Sequence, residues 1–344
     1  MAAEGKSGRE SFAVQSSPHL SGALTTPRVM IDVLIALVPA VVAALLFFKL
    51  ATVVLLASTV AGALLAEWFG NRLMRRPGSL GDGSAIVTGV ILALCLPPSF
   101  PFYFAALGGA VATGIGKMAF GGLGYNLFNP AMVGRTFLTA CFGTMMTTWL
   151  EPGTLHVIGG VEAVTAATPL GLAKQMLKAG GDQTAMAAVA QQMPEVTRLF
   201  IGNVGGSLGE TSSLAVLLGG GWLLGRRTIT WHIPAGVILG ALVFGTLAWL
   251  VTPGAVVNPL MHLFGGALLF GAFIIATDPV TCPLSMAGRF WFGFGVGLLT
   301  MLIRIVGGYP EGVMYAVLLM NAVTPFLDRL TATKPLGLGG AAHA

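Results

Sequence analysis

The sequence predicts an all-α integral membrane protein with about ten transmembrane helices, and three observations support this prediction. Apolar residues make up 55% of the 344 residues, whereas charged residues make up only 9%. Long uncharged runs recur along most of the chain, and about 20 mostly apolar residues cross a bilayer as a helix. Glycine is abundant, with 49 residues, and small residues let membrane helices approach each other closely.

The apolar runs divide the chain into two halves with five predicted spans each. The ten predicted spans are residues 29–48, 51–70, 84–100, 102–119, 128–150, 211–225, 233–251, 259–277, 290–306 and 312–327. A long polar segment separates the two halves. The predicted parts are an N-terminal segment 1–27, a first half 28–150, an outer-face loop 151–210, a second half 211–330 and a C-terminal tail 331–344.

The basic residues predict the orientation of the spans. If the N-terminus is cytoplasmic, most of the 18 Lys and Arg residues fall on the cytoplasmic side, and Lys49, Lys174, Lys178 and Arg198 fall on the other side. Positive charge accumulates in cytoplasmic loops, so both termini are predicted to be cytoplasmic and residues 151–210 to face outward. The net charge of +5 reflects this distribution, and nucleic acid is not an expected partner.

A pattern of glycine and proline occurs once in each half. Segments 89–101 and 271–283 both have the spacing G-x7-P-x3-P. By the charge distribution the first segment ends outside and the second inside, which is typical of inverted repeats that frame a central site with broken helices. Pro97 and Pro279 are expected to interrupt their helices. We therefore predict two inverted five-helix repeats in a urea-channel-like scaffold, and two ordinary proline-terminated helices are the alternative.

The polar segment contains a candidate modification signal. Residues 162–168 read E-A-V-T-A-A-T, which is similar to the D-x-x-[ST]-G-A-T signal of flavin transferases. Glu162 replaces the Asp of that signal, Thr165 the usual Ser, and Ala166 the Gly. Because these enzymes join FMN through its phosphate to the last Thr, Thr168 is predicted to carry a covalent flavin, with Glu162 and Thr165 in the recognition sequence.

Thr168 also fits a purely structural role. Thr168 followed by Pro169 is typical of a helix N-cap with proline at the first helical position. The two interpretations are compatible, because free backbone N–H groups and the positive dipole end of a helix N-terminus suit a phosphate.

Three charged residues in or beside spans are candidates for an ion path. Arg135 lies within the fifth span, Asp278 at a predicted helix break, and Glu210 at the mouth of the sixth span. Charges within membranes are costly and are usually functional or paired, and hard cations favour oxygen ligands. Asp278 is therefore predicted to line a path for Na⁺ or H⁺, together with carbonyl groups freed near Pro279. A structural pair of Asp278 with Arg289 is the alternative.

Other polar residues suggest no site of their own. Asp32 and Glu67 lie near the cytoplasmic ends of the first two spans and are expected to meet water there. The cysteines Cys95, Cys141 and Cys282 do not have the spacing of metal ligands, so no metal site is expected within this chain.

Four motifs, in order along the chain, point to a known family. They are G-G-L-G-Y-N-L-F-N-P-A at 121–131, G-S-L-G-E-T-S-S-L-A at 206–215, A-T-D-P-V-T-C-P at 276–283 and Y-P-E-G-V-M-Y-A-V-L-L-M-N at 309–321. With Thr168, these motifs resemble the RnfD family of Rnf electron-transport complexes. They resemble, more distantly, the NqrB component of the sodium-pumping NADH:quinone reductase.

The resemblance implies a flavoprotein subunit of a multi-subunit complex in the bacterial inner membrane. Such a complex passes electrons between reduced ferredoxin and NAD and couples this to movement of Na⁺ or H⁺. The FMN-bearing threonine of the family maps onto Thr168, and a flavin transferase and the other Rnf-type subunits are implied partners. A second, noncovalent flavin (riboflavin) is also implied. The sequence contains no recognisable acid–base pair or nucleophile, so catalysis is expected of the complex and not of this chain alone.

Two alternatives belong to other functional classes. Asn129-Pro130-Ala131 matches the aquaporin box, and Asn258-Pro259-Leu260 is a near second copy. These boxes suggest a solute channel or transporter without a redox cofactor, on a urea-channel-like scaffold. The second alternative is an assembly subunit with no cofactor.

Overall fold

A computed structural model describes residues 25–76, 78–150, 152, 167–179, 183–252, 254 and 256–332. Every regular element in these residues is helical, which confirms the predicted all-α class. The N-terminal segment and the C-terminal tail predicted from the sequence fall almost wholly outside these residues. Glu162 and Thr165 also lie outside them.

The helices follow the predicted order of spans. The first half contains α1 (Thr26–Phe48), α2 (Leu50–Leu73), α3 (Ser84–Leu94), α4 (Phe102–Gly114), α5 (Pro130–Cys141) and α6 (Gly143–Met146). The intervening polar segment contains α7 (Pro169–Lys178), α8 (Gln183–Gln192) and α9 (Val196–Ile201). The second half contains α10 (Ser213–Gly225), α11 (His232–Val251), α12 (Pro259–Phe264), α13 (Leu268–Phe270), a π-helical turn Gly271–Ile275, α14 (Met286–Ile305) and α15 (Val313–Leu330).

Five helices within the described residues are long and apolar enough to cross a membrane. They are α1, α2, α11, α14 and α15. Helices α3 and α10 are apolar but shorter. The protein therefore has the helical content of a membrane protein, and the count of ten spans remains a prediction.

Four of the predicted spans are interrupted or shortened. Helix α3 ends at Leu94, three residues before Pro97, and the π-helical turn ends at Ile275, ahead of Pro279. Both interruptions were predicted from the prolines. The predicted span 128–150 also stops early, with α5 ending at Cys141. Helix α4 ends at Gly114, so the predicted span 102–119 is short as well.

The predicted single span 259–277 is wrong in detail, because the chain bends at a pair of glycines. Gly265 ends α12 with extended backbone angles (φ −90°, ψ 132°). Gly266 follows with a φ of +73°, a left-handed conformation that glycine adopts without steric cost. The segment is therefore divided into α12, α13 and the π-helical turn, and carbonyl groups at the bend accept hydrogen bonds from Arg304.

Helices α2 and α4 pack closely because glycine lies at their contact. A Cβ atom added to Gly62 would lie 2.0 Å from the carbonyl oxygen of Ala106, and one added to Gly109 would lie 2.2 Å from that of Thr59. No side chain fits in such a space, so these glycines set the distance between the helix backbones.

Helices α11 and α14 make the same kind of contact in the second half. A Cβ atom added to Gly236 would lie 2.4 Å from the carbonyl oxygen of Phe290, and one added to Gly297 would lie 2.1 Å from that of Val237. In the first half α2 packs through glycines against α4, and in the second half α11 packs through glycines against α14. Helices α4 and α14 each follow an interrupted span.

The two halves contact each other through a glycine of α10 and through the side chain and backbone of Asn129. A Cβ atom added to Gly219 of α10 would lie 2.0 Å from the carbonyl oxygen of Ala36 in α1. Asn129 caps α5; its backbone N–H donates to Oδ1 of Asn321 in α15 at 3.3 Å, and its Nδ2 donates to the carbonyl of Ile275 at 3.2 Å. One large buried apolar cluster includes residues from both halves, so the halves form one packed body.

Candidate functional site

Thr168 begins helix α7 in the polar segment. Its backbone is extended (φ −72°, ψ 153°), and its Oγ1 accepts a hydrogen bond of 2.9 Å from the backbone N–H of Gly171. The predicted N-cap is thus confirmed, with Pro169 as the first helical residue. Thr168 is 8% exposed, and a Cβ atom added to Gly171 would lie 3.0 Å from its Oγ1. Glycine therefore keeps the space beside this hydroxyl open.

Lys174 holds α7 against the C-terminal end of α14. Its ammonium group donates to the carbonyl oxygens of Arg304 and Ile305, at 3.2 Å each, and to that of Gly307. The last carbonyls of a helix lack partners within the helix and form the negative end of its dipole, so a cation is favourable there. Burial, together with the nearby charge of Lys178, lowers the pKa of Lys174. This contact fixes the position of α7 and hence of Thr168.

A small cavity adjoins Thr168, and we call it the Thr168 cavity. Its volume is about 10 Å³, which suits roughly one water molecule. Its lining includes Thr168, Glu210, Glu311 and three glycines, Gly205, Gly206 and Gly266. The structure therefore brings two of the predicted residues, Thr168 and Glu210, to one place.

The two carboxylates of the Thr168 cavity are paired with Arg135. Arg135 Nη2 forms a close ion pair with Glu311 Oε2 and lies 3.6 Å from Glu210 Oε1. Ser207 Oγ donates to Glu210 Oε1 at 2.9 Å. Arg135 is 3% exposed and Glu210 is 7% exposed. With both carboxylates ionised the cluster carries one surplus negative charge, so removing one carboxylate leaves a neutral pair, whereas removing Arg135 leaves two buried carboxylates uncompensated.

Arg304 is a second buried cation near the Thr168 cavity. It is 2% exposed; its Nη1 donates to the carbonyl of His262 at 2.5 Å and its Nη2 to that of Gly265 at 3.2 Å. Both acceptors lie at the bend between α12 and α13. Among the described residues, Arg304 has no carboxylate within 4.0 Å.

Asp278 lines a larger cavity, which we call the Asp278 cavity. Its volume is about 70 Å³, and residues from both halves line it. Its polar lining includes Ser84, Thr88, Lys117, Asn126, Asn129, Thr277 and Asp278. The structure therefore separates Asp278 from Glu210 and Arg135, because Glu210 lines the other cavity.

Asp278 takes its hydrogen bonds from its own turn. Oδ1 accepts from the backbone N–H of Val280 at 3.3 Å, and Oδ2 accepts from the hydroxyl of Thr281 at 3.2 Å. Arg289 instead donates to the carbonyl of Pro283 at 3.0 Å and to the hydroxyl of Thr230 at 3.4 Å. The alternative ion pair of Asp278 with Arg289 is not formed within 4.0 Å.

Side chains satisfy some carbonyls near the helix break. The carbonyl of Ile275 accepts from Asn129, and that of Thr281 accepts from Asn321 at 3.2 Å and from Thr324 at 3.1 Å. The carbonyls expected to be free near Pro279 are thus partly capped by amides and hydroxyls.

The expectation that Asp32 and Glu67 meet water is wrong. Asp32 is 4% exposed and lies 3.4 Å from Nε of Arg226, and Glu67 is fully buried. Glu67 Oε1 lies 2.6 Å from Lys117 Nζ, which also donates to Ser84 Oγ at 2.5 Å. Lys117, near the end of the predicted span 102–119, is therefore the buried partner of Glu67.

Several residues of these sites were missed by reasoning from sequence patterns. Glu311, Arg304 and Lys117 were not predicted as site residues, although each is a charge in or beside an apolar run, which is a signal of function or pairing. Their partners are distant in sequence, so the spacing of residues could not reveal them.

The two boxes that resemble aquaporin motifs have different environments. Asn129 is buried between the halves, whereas Asn258 is exposed and caps α12 by accepting from the backbone N–H of Leu260 at 2.9 Å. Both boxes begin helices, but they do not form a matched pair.

The fold and the two cavities define a class: a helical membrane protein with buried charged residues beside its broken helices. Such residues are expected in a component of an ion-translocating membrane system. The chain belongs to the NQR2, RnfD, RnfE family, whose model matches residues 13–337. The resemblance predicted from the motifs is thereby confirmed.

Curated relatives match nearly the whole chain. The chain is 39% identical to the D subunit of the proton-translocating ferredoxin:NAD(+) oxidoreductase complex of Clostridium ljungdahlii, over 97% of this chain and 99% of the relative. It is 38% identical to the D subunit of the ion-translocating oxidoreductase complex of Cronobacter sakazakii, over 95% of this chain and 99% of the relative. It is 37% identical to the protein of the same name from Escherichia coli O127:H6, over 95% and 98%.

Proposed function

We propose that this chain is the flavin-carrying, RnfD-type membrane subunit of an Rnf-type ion-translocating ferredoxin:NAD oxidoreductase complex. The observation that carries the proposal is the position of Thr168, which caps α7 beside a cavity lined by Glu210 and Glu311. The names of the relatives support the assignment of this chain to such a complex and to the reaction of the complex. Catalysis belongs to the assembled complex, and this chain contributes an electron carrier and part of the ion path.

FMN is attached to Thr168 through a phosphoester. The Thr168 hydroxyl loses its proton and its Oγ1 forms a bond to phosphorus, while the bond from phosphorus to the leaving group of an activated flavin nucleotide breaks. A flavin transferase catalyses this step. When bound, FMN supplies one- and two-electron redox chemistry at the surface of the helical bundle.

The residues around Thr168 fit a phosphoester. The N-terminus of α7 offers backbone N–H groups and a positive dipole end. Gly171 lies beside the hydroxyl, and Gly205, Gly206 and Gly266 line the cavity without side chains. The Thr168 cavity of about 10 Å³ is far too small for an isoalloxazine ring. The ring therefore projects away from the bundle, where another protein of the complex can reach it.

Asp278, Glu210 and Arg135 form parts of the path for Na⁺ or H⁺. The carboxylate of Asp278 lies in a cavity with room for several water molecules between the two halves. Glu210 lines the Thr168 cavity, and Arg135 pairs with it, next to the proposed attachment point. A second, noncovalent flavin such as riboflavin remains part of the proposal through the resemblance to the family alone.

The scaffold is a pair of inverted five-helix repeats in the bacterial inner membrane. The glycine contacts of α2 with α4 and of α11 with α14 support the repeat, because each joins equivalent helices of one half. Both termini lie in the cytoplasm, and the segment 151–210 with Thr168 lies on the outer face, as the distribution of basic residues indicates.

The experiment is a denaturing gel of the purified chain, produced together with a flavin transferase. We expect ultraviolet fluorescence from the band of the native chain and none from Thr168→Ala. Intact mass should show an adduct of the size of FMN on the native chain alone. Fluorescence that persists in Thr168→Ala excludes this residue, and its absence from the native chain favours the channel or the assembly subunit.

A further inference from the structure

We propose that Glu210 and Glu311 hold one proton between them, so that this buried pair is a proton-binding site beside the Thr168 cavity. The inference gives a role to Glu311, which was not among the predicted site residues. It rests on the proposed function only in assigning the proton to the ion path, because the shared proton itself needs no flavin.

The two carboxyl groups contact each other and the same cation. Their side chains are hydrogen-bonded to each other, and both lie within 4.0 Å of a single nitrogen atom, Nη2 of Arg135. An ionised carboxylate only accepts hydrogen bonds, whereas a protonated carboxyl group donates through its O–H. A hydrogen bond between two carboxyl groups therefore requires a proton on one of them.

The surrounding charges favour one proton and not two. Among the described residues, Arg135 is the one cation within 4.0 Å of either carboxyl group. Arg304 acts on both from a greater distance, and its own N–H groups donate to carbonyl oxygens. Two neighbouring carboxylates resist double ionisation because like charges repel, while the two guanidinium groups favour one remaining negative charge. The pair therefore carries one proton and one negative charge.

Within the pair, the proton lies on Glu210. Arg135 Nη2 forms a closer ion pair with Glu311 Oε2 than with Glu210 Oε1, from which it lies 3.6 Å. Burial and the nearby charge of Glu311 raise the pKa of Glu210, which lies in the loop before α10. Ser207 Oγ donates to Glu210 Oε1 at 2.9 Å, so this oxygen acts as an acceptor and Oε2 carries the proton.

Other titratable groups near the cluster come from several elements. They are Cys95 after α3, His262 in α12, and Tyr309 and Tyr315 before and in α15. The thiol of Cys95 is hydrogen-bonded to Arg135, and the carbonyl of His262 accepts from Arg304. Thiol and phenol groups are uncharged at neutral pH. The two arginines are therefore the charges that act most directly on the pair.

The Thr168 cavity gives the proton a route in and out. Both carboxyl groups line this cavity, which has room for about one water molecule. Release of the proton to a water molecule leaves two carboxylates beside Arg135, and its return leaves one. A metal cation needs a shell of several oxygen ligands, and Glu311 is already bound to Arg135. The site therefore suits H⁺ better than Na⁺.

The test is infrared spectroscopy of the purified full-length chain at neutral pH. A protonated carboxyl group absorbs apart from carboxylates, and its band shifts in D₂O. We expect Glu311→Gln and Glu210→Gln each to lose the band area of one carboxylic acid per chain. In each variant the remaining carboxyl group forms a simple ion pair with Arg135 and ionises, so the double variant should lose no more than either single variant.

The matched control is Glu195→Gln, in the loop before α9. Its carboxylate is exposed and accepts from Thr197 at 3.3 Å, so its replacement should leave the band unchanged. A band that neither single variant reduces overturns the inference. A double variant that loses two acids also overturns it, because each carboxyl group would then hold its own proton. If one single variant does not fold, the other makes the same prediction.

Two further measurements separate the ion and the path. A band that disappears when Na⁺ replaces K⁺ in the buffer overturns the inference, because a metal ion then displaces the proton. Ion uptake is also measured in vesicles that contain the whole complex. Loss of the band in Glu311→Gln with unchanged uptake supports the shared proton and removes this cluster from the proposed ion path, whereas loss of both supports the two together.

Discussion

Individual buried charges in this protein are compensated in different ways. Arg135 is flanked by two carboxylates, and Lys117 pairs with Glu67. Arg304 is held by carbonyl oxygens. Breaking a buried pair by removing one partner typically costs about 3–5 kcal/mol, so these residues are expected to be sensitive to substitution.

Gly171→Ala should block attachment of the flavin while leaving α7 helical. The new methyl group would lie 3.0 Å from Thr168 Oγ1, where the phosphorus atom must approach. Overpacking of this kind costs about 1–3 kcal/mol, so we expect covalent flavin per chain to fall by about tenfold or more. Fluorescence in a denaturing gel, normalised to protein, measures this.

The matched control for Gly171→Ala is Gly221→Ala in α10, where an added Cβ atom meets nothing within 4 Å. Alanine favours a helix over glycine by about 1 kcal/mol, so neither substitution should weaken its helix. A normal amount of covalent flavin per chain in Gly171→Ala would show that the space beside Thr168 is not needed for the phosphate.

The helices themselves show what a sequence can and cannot predict. Proline and glycine act locally, so the ends of α3 and of the π-helical turn and the cap at Thr168 followed from short patterns. The bend at Gly265 and Gly266 did not, because the run 259–277 is apolar almost throughout and has no proline after its first residue. Arg304 binds the carbonyls exposed at that bend, and these partners are distant from it in the sequence.

Lys174→Met should loosen α7 from the end of α14. The substitution removes the charged donor that three carbonyl oxygens share, and hydrogen bonds to a charged group contribute about 1.5–3 kcal/mol each. We expect amide hydrogen exchange in residues 170–178 to become at least tenfold faster, since local opening of α7 becomes more favourable. Amide hydrogen exchange in the part of α14 that precedes its last turn should not change.

Lys178→Met, in the last turn of the same helix, is the control for Lys174→Met, because it removes the same charge at a position outside the three-carbonyl contact. If both substitutions have equal effects on exchange, the docking of α7 depends on the total positive charge of this helix. It then does not depend on the contact of Lys174 with the end of α14.

At the scale of the whole molecule, the motifs predicted the family and the helical class, but not the division of the polar residues between two cavities. Glu210 and Asp278 looked like members of one path in the sequence. The fold places Glu210 with Thr168 and Glu311, and Asp278 with Ser84 and Lys117. Contacts between residues far apart in the chain decide this arrangement, and local patterns carry no signal for such contacts.

Asp278→Asn should abolish ion coupling while leaving the covalent flavin intact. The amide is nearly isosteric with the carboxylate and can still accept a hydrogen bond within the turn that Val280 and Thr281 form around it, so the fold of the turn should persist. It cannot carry the negative charge that a cation or proton requires in the Asp278 cavity.

In vesicles containing the whole complex, we expect ferredoxin-driven ion uptake to fall to background, with unchanged flavin fluorescence and subunit composition. Asp278→Glu retains the charge and should keep part of the uptake. Full uptake by the Asn variant would exclude Asp278 from the path and leave the Glu210 and Arg135 cluster as the remaining candidate.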